Sequence, residues 1–373
     1  MAFPVGWRSH KITIPSSKIN AALTGFVVTI TLDNLLNEVA NGSSHSALNG
    51  GGDIRFSSDD LGATRLACHV RRFVTNPIEA LRDCEIKVYL PTLSDVSDNE
   101  FYIWYNMAGE TQPAPGAAFG YNEVYQDWEF VLPLTEASGN GTAGEFEDVT
   151  GNGYNASLTT GTSISGTTAG HPYGASWLEF SSLLHALTIS GSISALDLAD
   201  VTMSCLQNAD VVSSNTALFG NWDSGTSQNY VQFQSNGRFK VLETVTADEL
   251  AGSGVTAGET TLMHAVWDRA APYVRSYVHG VVEVSDVTLN NTTGIVGDAA
   301  FRIGAYYNND SYRRYEGRMG EVRGGKFVLP QEYIEAEQAN LVDPAAFAIP
   351  ITDTSSIIPG TIMSGSLTPR TIR

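Results

Sequence analysis

"EGRMGEVRGGKFVLPQEYIEAEQANLVDP", residues 316–344, decides how this chain is read. Its first half has the pattern of a strand and carries one acid, Glu321, between Arg318 and Arg323. Its second half opens on Pro330, a residue suited to the first turn of a helix, and spaces Tyr333, Ile334 and Leu341 to share one helical face. Asp343-Pro344 then stops that helix. The stretch is either the seat of a catalytic acid or the segment that closes a β-fold. No second acid stands in alternation with Glu321, so the expectation is structural. Glu321 is held by Arg318 and Arg323, and the strand and helix together act as a clasp.

Outward from this stretch, the composition narrows the function. The 373 residues are enough for two domains, each with its own core. Charged residues make up only 16% and glycines number 36, a profile of many turns and short strands. Twenty-one basic residues face 40 acidic ones, for a net charge of −19. That balance argues against a phosphate-binding groove and against anionic membranes. The opening "MAFPVGWRSHKITIP" shows no secretory leader pattern, and no apolar run is long enough for a membrane helix. Three cysteines form neither a disulfide framework nor metal-ligand spacing. Cys68 alternates with Leu66 and Val70, and Cys84 with Ile86, Val88 and Leu90, which makes both core thiols.

Three segments emerge. Residues 1–122 read as a β-sandwich, with "KITIPSSKI", "FVVTITL", "RLACHV", "EIKVYLP" and "NEFYIWYN" as short strands. The stretch "GETQPAPGAAFG" at 109–120 reads as a linker. Residues 123–349 hold about eleven more short strands, which implies a two-sheet jelly roll. Residues 350–373 carry no pairing pattern and read as an extended assembly arm.

Three strings in the second segment carry a resemblance. They are "LPLTEASGNGTAGEFEDVTGNGYNASL", "HAVWDRAAPYVRSYVHGVVEV" with His264, Asp268, Arg275, Tyr277 and Gly280, and "FRIGAYYNNDSYRRYEGRMGEVR". Together they resemble a laminin-G-like member of the concanavalin A-like lectin/glucanase superfamily, although Gly320 stands where that family usually has Asp. The first segment, through Trp7, "GGDIRFSSDD", "IKVYLPTL" and "FYIWYN", resembles an uncharacterised β-domain that precedes such jelly rolls in bacterial surface and phage virion proteins. The resemblance implies an all-β fold with one short terminal helix; it implies no activity, because this superfamily holds lectins, hydrolases and inert modules.

The chemistry available is sparse. Retaining glucanases need two carboxylates roughly 5 Å apart, and the nearest string, "GEFEDV" with Glu145 and Glu147, lies among loop signals. Seven histidines are scattered without ligand spacing, and no nucleophile elbow, P-loop or dinucleotide fingerprint occurs. Calcium is the one cofactor the loops suggest, through Asp148, Asn152, Asn308 and Asp310, although turns use Asp and Asn for their own sake. Glycan contact points to Trp222, Asp223, Tyr306, Tyr307 and Tyr312 in polar loops. The expectation is therefore a non-enzymatic virion component: a tail, fibre or capsid-decoration protein. Its partners are other virion proteins, further copies of itself and host surface glycan, without nucleic acid or membrane insertion. The alternatives are a bacterial surface adhesin and a glycoside hydrolase.

Overall fold

A computed structural model describes residues 3, 6–161, 163–173, 176–180, 185–190, 196, 200–213, 216–221, 230–237, 239–243, 246–249, 254–271, 273–288, 300–305 and 314–351. Four antiparallel sheets make two sandwiches. In the first, strands Leu23–Ile30, Asp83–Leu93 and Cys68–Val74 form one sheet. It faces a five-stranded sheet containing Arg8–Ile14 and Asn99–Tyr105. Phe26, Val28, Ile86 and Val88 from one face meet Ile12, Ile14, Phe101 and Ile103 from the other. Cys68 and Cys84 are buried in this core as free thiols, and burial pushes the Cys68 thiol up to about 12, so it is inert.

The second sandwich pairs a seven-stranded and a nine-stranded sheet, giving the expected jelly roll. Its core takes Leu187, Phe219, Phe233 and Ile303 from one sheet and Met203, Cys205, Met263, Met319 and Val322 from the other. The hairpin Thr260–Asp268 to Tyr273–Val278 forms as the pattern predicts. The chain turns after it at His279 and Gly280, with φ 54° and 76°, the left-handed pair that a tight hairpin turn requires.

The closing segment joins the two sandwiches. Strand Gly317–Gly325 lies inside the nine-stranded sheet, between Val201–Ala209 and Trp177–Phe180. Cys205 pairs with Val322 but Gln207 with Met319, so Gly320 and Glu321 together stand opposite Leu206. This bulge breaks the two-residue alternation. Met319 and Val322 both enter the jelly-roll core, and Glu321 turns to the opposite face. Helix Gln331–Val342 follows, with Pro330 as its N-cap residue. Asp343 ends it and caps the short helix Pro344–Phe347 by accepting the Ala346 N–H at 3.0 Å.

This helix packs on the first sandwich. Tyr333, Ile334 and Ala336 join that domain's core, where Tyr333 lies 5.0 Å from Phe26 between ring centres. Asn340, 2% exposed, accepts the Thr29 N–H at 2.7 Å and donates to the Thr29 carbonyl at 3.1 Å. It thereby stands in for a neighbouring strand along the edge strand Leu23–Ile30. Asn34 reciprocates by donating to the carbonyls of Pro344 and Ala348. Ile349–Ile351 then pairs with Arg8–Ile14, with Lys11 opposite Ile351. The first residues assigned to the arm are thus an edge strand of the N-terminal sheet, and residues 352–373 lie outside the described residues.

Candidate functional site: a charged seam and an open cleft

Two places where the sandwiches meet concentrate polar chemistry. The first is a closed seam. In Asp83–Leu93, Ile86 and Val88 face the sandwich core, so Glu85 and Lys87 point the other way, where the jelly roll covers them. Arg71 from the neighbouring strand binds Glu85 at 2.8 Å and Glu321 at 2.7 Å. Lys87 lies 3.6 Å from Glu321 and donates to the Thr29 hydroxyl at 2.9 Å. Arg323 lies 3.5 Å from Glu321, binds Glu337 of the helix at 2.7 Å and donates to the Ser204 hydroxyl at 2.8 Å. Its guanidinium also sits 4.6 Å above the Trp128 ring. His264 completes the set with a 2.9 Å bond from Nε2 to Glu337.

Three cations, Arg71, Lys87 and Arg323, thus neutralise three carboxylates, Glu85, Glu321 and Glu337, around a cavity of only about 30 Å³. Burial alone would raise the Glu321 carboxyl, but Lys87, Arg71 and Arg323 hold it far below the ordinary range. Burial acts the same way on Glu85 and Glu337, and Arg71 and Arg323 respectively outweigh it. Burial also keeps His264 neutral. No acid of the seam holds a proton to donate, and the cavity admits no sugar. Glu321 and Arg323 are partnered as the sequence suggested, but Arg318 is not a partner of Glu321. It lies before the bulge, opposite Glu179 and Asn208. Arg71, Glu85, Lys87 and Glu337 escaped the sequence reading. The one available signal was the run Glu85-Ile86-Lys87-Val88, whose charged positions belong to a strand buried on both faces.

The seam sets a pH dependence. Glu85, Glu321 and Glu337 titrate below their unfolded value of 4.5, so the stability they contribute is complete above that pH and is lost as pH falls below it. His171 beside them is held by burial down to about 4, and His10 to about 3, against an ordinary 6.5. These imidazoles stay neutral when folded and protonate when unfolded, so stability begins to fall below pH 6.5. Scanning calorimetry is expected to show a melting temperature that drops from pH 6.5 and drops more steeply below 4.5. A flat profile between pH 7 and 4 would contradict the assignment.

The calcium and acid candidates resolve into turn chemistry where they are described. Asp148 Oδ1 accepts from Val131 N and Thr150 N and Oδ2 from Tyr154 N, and the one Thr150 hydroxyl proton is shared between the two oxygens at 2.9 Å. Those bonds fill both oxygens. Asn152 donates its amide to the Glu129 carbonyl at 2.9 Å. Asp148→Ala is expected to cost about 1–3 kcal/mol by leaving buried N–H groups unpaired, while a chelator leaves the wild-type melting temperature unchanged. Glu145 accepts the N–H groups of Asn140, Gly141 and Leu158. Burial raises its carboxyl, but those bonds together outweigh it and lower it. Glu147 instead accepts the Tyr121 hydroxyl at 2.7 Å.

Trp222, Asp223, Tyr306, Tyr307, Asn308, Asp310 and Tyr312 lie outside the described residues. The strands preceding them, Ala217–Gly220 and Arg302–Ile303, are antiparallel neighbours with Gly220 opposite Arg302.

The second place is open. A cleft of about 450 Å³ lies between the start of Leu23–Ile30, residues Tyr89 and Pro91, Asp127 and Trp128, and the clasp from Phe327 to Tyr333. Tyr89 donates to Asp127 Oδ2 at 3.1 Å, and Phe327 packs edge-on against Trp128 at 5.0 Å.

With this geometry in hand, the chain can be set beside known proteins. No protein-family model matches it, and no curated protein matches it by sequence. Several solved structures are similar at low identity. Domain 4 of AbnA, an extracellular arabinanase of Geobacillus stearothermophilus solved with arabinotriose, is 14% identical with a TM-score of 0.42 over 55% of this chain and 97% of its own. The CBM40 domain of the Ruminococcus gnavus IT-sialidase, bound to α2,3-sialyllactose, is 12% identical with a TM-score of 0.33 over 43% and 94% of the two chains. The binding domain of botulinum neurotoxin DC, solved with rat synaptotagmin II, is 11% identical with a TM-score of 0.42 over 58% and 52%.

Proposed function

We propose that this chain is a non-enzymatic structural component of a phage virion, a tail, fibre or capsid-decoration protein, whose lectin-like jelly roll contacts host surface glycan. The observation that carries the reading is the seam. Glu85, Glu321 and Glu337 between the domains are all spent on ion pairs, and the clasp fastens two sandwiches into one body. A rigid spacer of this kind suits a particle component. Glu85, Glu321 and Glu337 of the seam are held ionised, so none of them is a proton donor of the kind a glycosidase needs. A surface adhesin built on the same body would differ in location rather than in chemistry, and mass spectrometry of purified particles separates the two.

The assembly role is tested by size measurement of the full chain and of a chain ending at Ile351. That end point spares the pairing of Ile351 with Lys11. The full chain is expected to be oligomeric and the shortened one smaller by whole subunits, and a monomer in both cases overturns the assembly arm. Glycan contact through the loops is tested on an array with Trp222→Ala and Tyr307→Ala, which are expected to lose signal. The hydrolase reading would recruit Glu136, whose carboxyl burial pushes up and whose Oε1 accepts the Glu147 N–H at 3.2 Å. Reducing-sugar release that disappears in Glu136→Gln would establish it in place of the present proposal.

A further inference from the structure

We infer that the open cleft beneath Tyr89 is a second binding site, and that it takes an uncharged linear glycan. The inference rests on the glycan-contact reading above but concerns a different place, the junction of the two domains rather than the jelly-roll loops. Its size and its position at a domain junction are those of a ligand site. Its wall offers Tyr89, Phe327 and the edge of Trp128, surfaces on which the C–H face of a pyranose ring stacks. Beside them stands one carboxylate. Asp127 is exposed, its Oδ2 is fixed by the Tyr89 hydroxyl, and its Oδ1 has no protein partner. A sugar hydroxyl donating to that oxygen makes a charge-assisted bond.

Gly25 leaves room for the carboxylate and its Tyr89 partner. A Cβ at Gly25 would lie 2.6 Å from Asp127 Oδ2 and 3.4 Å from the Tyr89 hydroxyl, and Gly25 has φ 65°. Only glycine suits that backbone and leaves the pair its room. Charge selects the ligand class. The cleft is lined by Asp127 and by no Lys, Arg or His, on a chain of net charge −19, so sialylated and other anionic sugars are repelled. Length follows from the neighbouring surface. A second cleft of about 260 Å³, bounded by Arg65, Ala118, Phe119, Glu123 and Gln126, shares Tyr89 and Pro91 with the first, and its one cation is matched by one carboxylate. A chain leaving one cleft passes Tyr89 into the other.

The test uses the full chain with cellohexaose, maltohexaose and chitohexaose as neutral probes and α2,3-sialyllactose as the anionic one. Affinity is measured by calorimetric titration for wild type, Tyr89→Ala, Asp127→Ala and Trp222→Ala. Both cleft residues are partly or fully exposed, and unchanged thermal unfolding confirms that the variants fold. The expected result is binding of at least one neutral hexasaccharide, weakened about tenfold or more by Asp127→Ala, as for loss of a charged hydrogen bond, and likewise by Tyr89→Ala. Neutral binding that survives both cleft variants and is lost in Trp222→Ala overturns the cleft while sparing the loop site. Sialyllactose binding that depends on Asp127 overturns the charge argument. Binding of none of the four probes overturns the cleft, and a blank glycan array is what would remove the wider reading with it.

Discussion

Glu321→Gln is expected to lower the stability of the whole chain by about 3–5 kcal/mol, the cost of breaking a buried ion pair from one side. Glu321 is the one acid that Arg71, Lys87 and Arg323 share, at 2.7, 3.6 and 3.5 Å. Removing its charge leaves three buried cations facing two carboxylates. Urea denaturation measures the loss. A mutant cycle with Arg71→Met should be strongly non-additive, because the second change removes one of the stranded charges. A cost below about 1 kcal/mol would place Glu321 among surface ion pairs and remove it from the account.

Tyr333→Ala is the second large effect, at about 3–5 kcal/mol for loss of a buried aromatic ring. Tyr333 is 4% exposed, packs on Phe26, and its hydroxyl accepts the Val27 N–H at 3.3 Å. The residue belongs to the clasp, yet its contacts are in the first sandwich. The expected signature is therefore loss of stability in the N-terminal domain, read by hydrogen exchange at the buried amides of residues 26–30. If exchange there is unchanged and only the helix loosens, the helix does not hold the domains together.

These two residues show how far the sequence could be read. The alternating strands and the terminal helix were legible because each element's own pattern specifies it. The side on which Glu321 falls was not legible, because strand alternation would place it with Met319, and the bulge opposite Leu206 reverses that. Arg318 was assigned to Glu321 by proximity in sequence, but it stands before Met319, opposite Glu179 and Asn208, while Arg71 and Lys87 reach Glu321 from the first sandwich. Arg71, Glu85 and Lys87 look like ordinary surface charges until a second domain covers their face. Asn340 looks like a polar residue on a solvent-facing turn, yet it completes the ladder at Thr29, 311 positions away in sequence. Such contacts come from docking and have no local signal. The cleft is hidden for the same reason, since Gly25, Tyr89, Asp127 and Phe327 come from four separate segments.

The central claim is that the charged seam and the closing segment make two β-sandwiches one body, with the acids between them structural. Scanning calorimetry of the intact chain at neutral pH tests it most directly. The account predicts a single transition whose calorimetric and van't Hoff enthalpies agree, as a cooperative unit requires. Two resolved transitions, with Glu321→Gln moving neither, would contradict it.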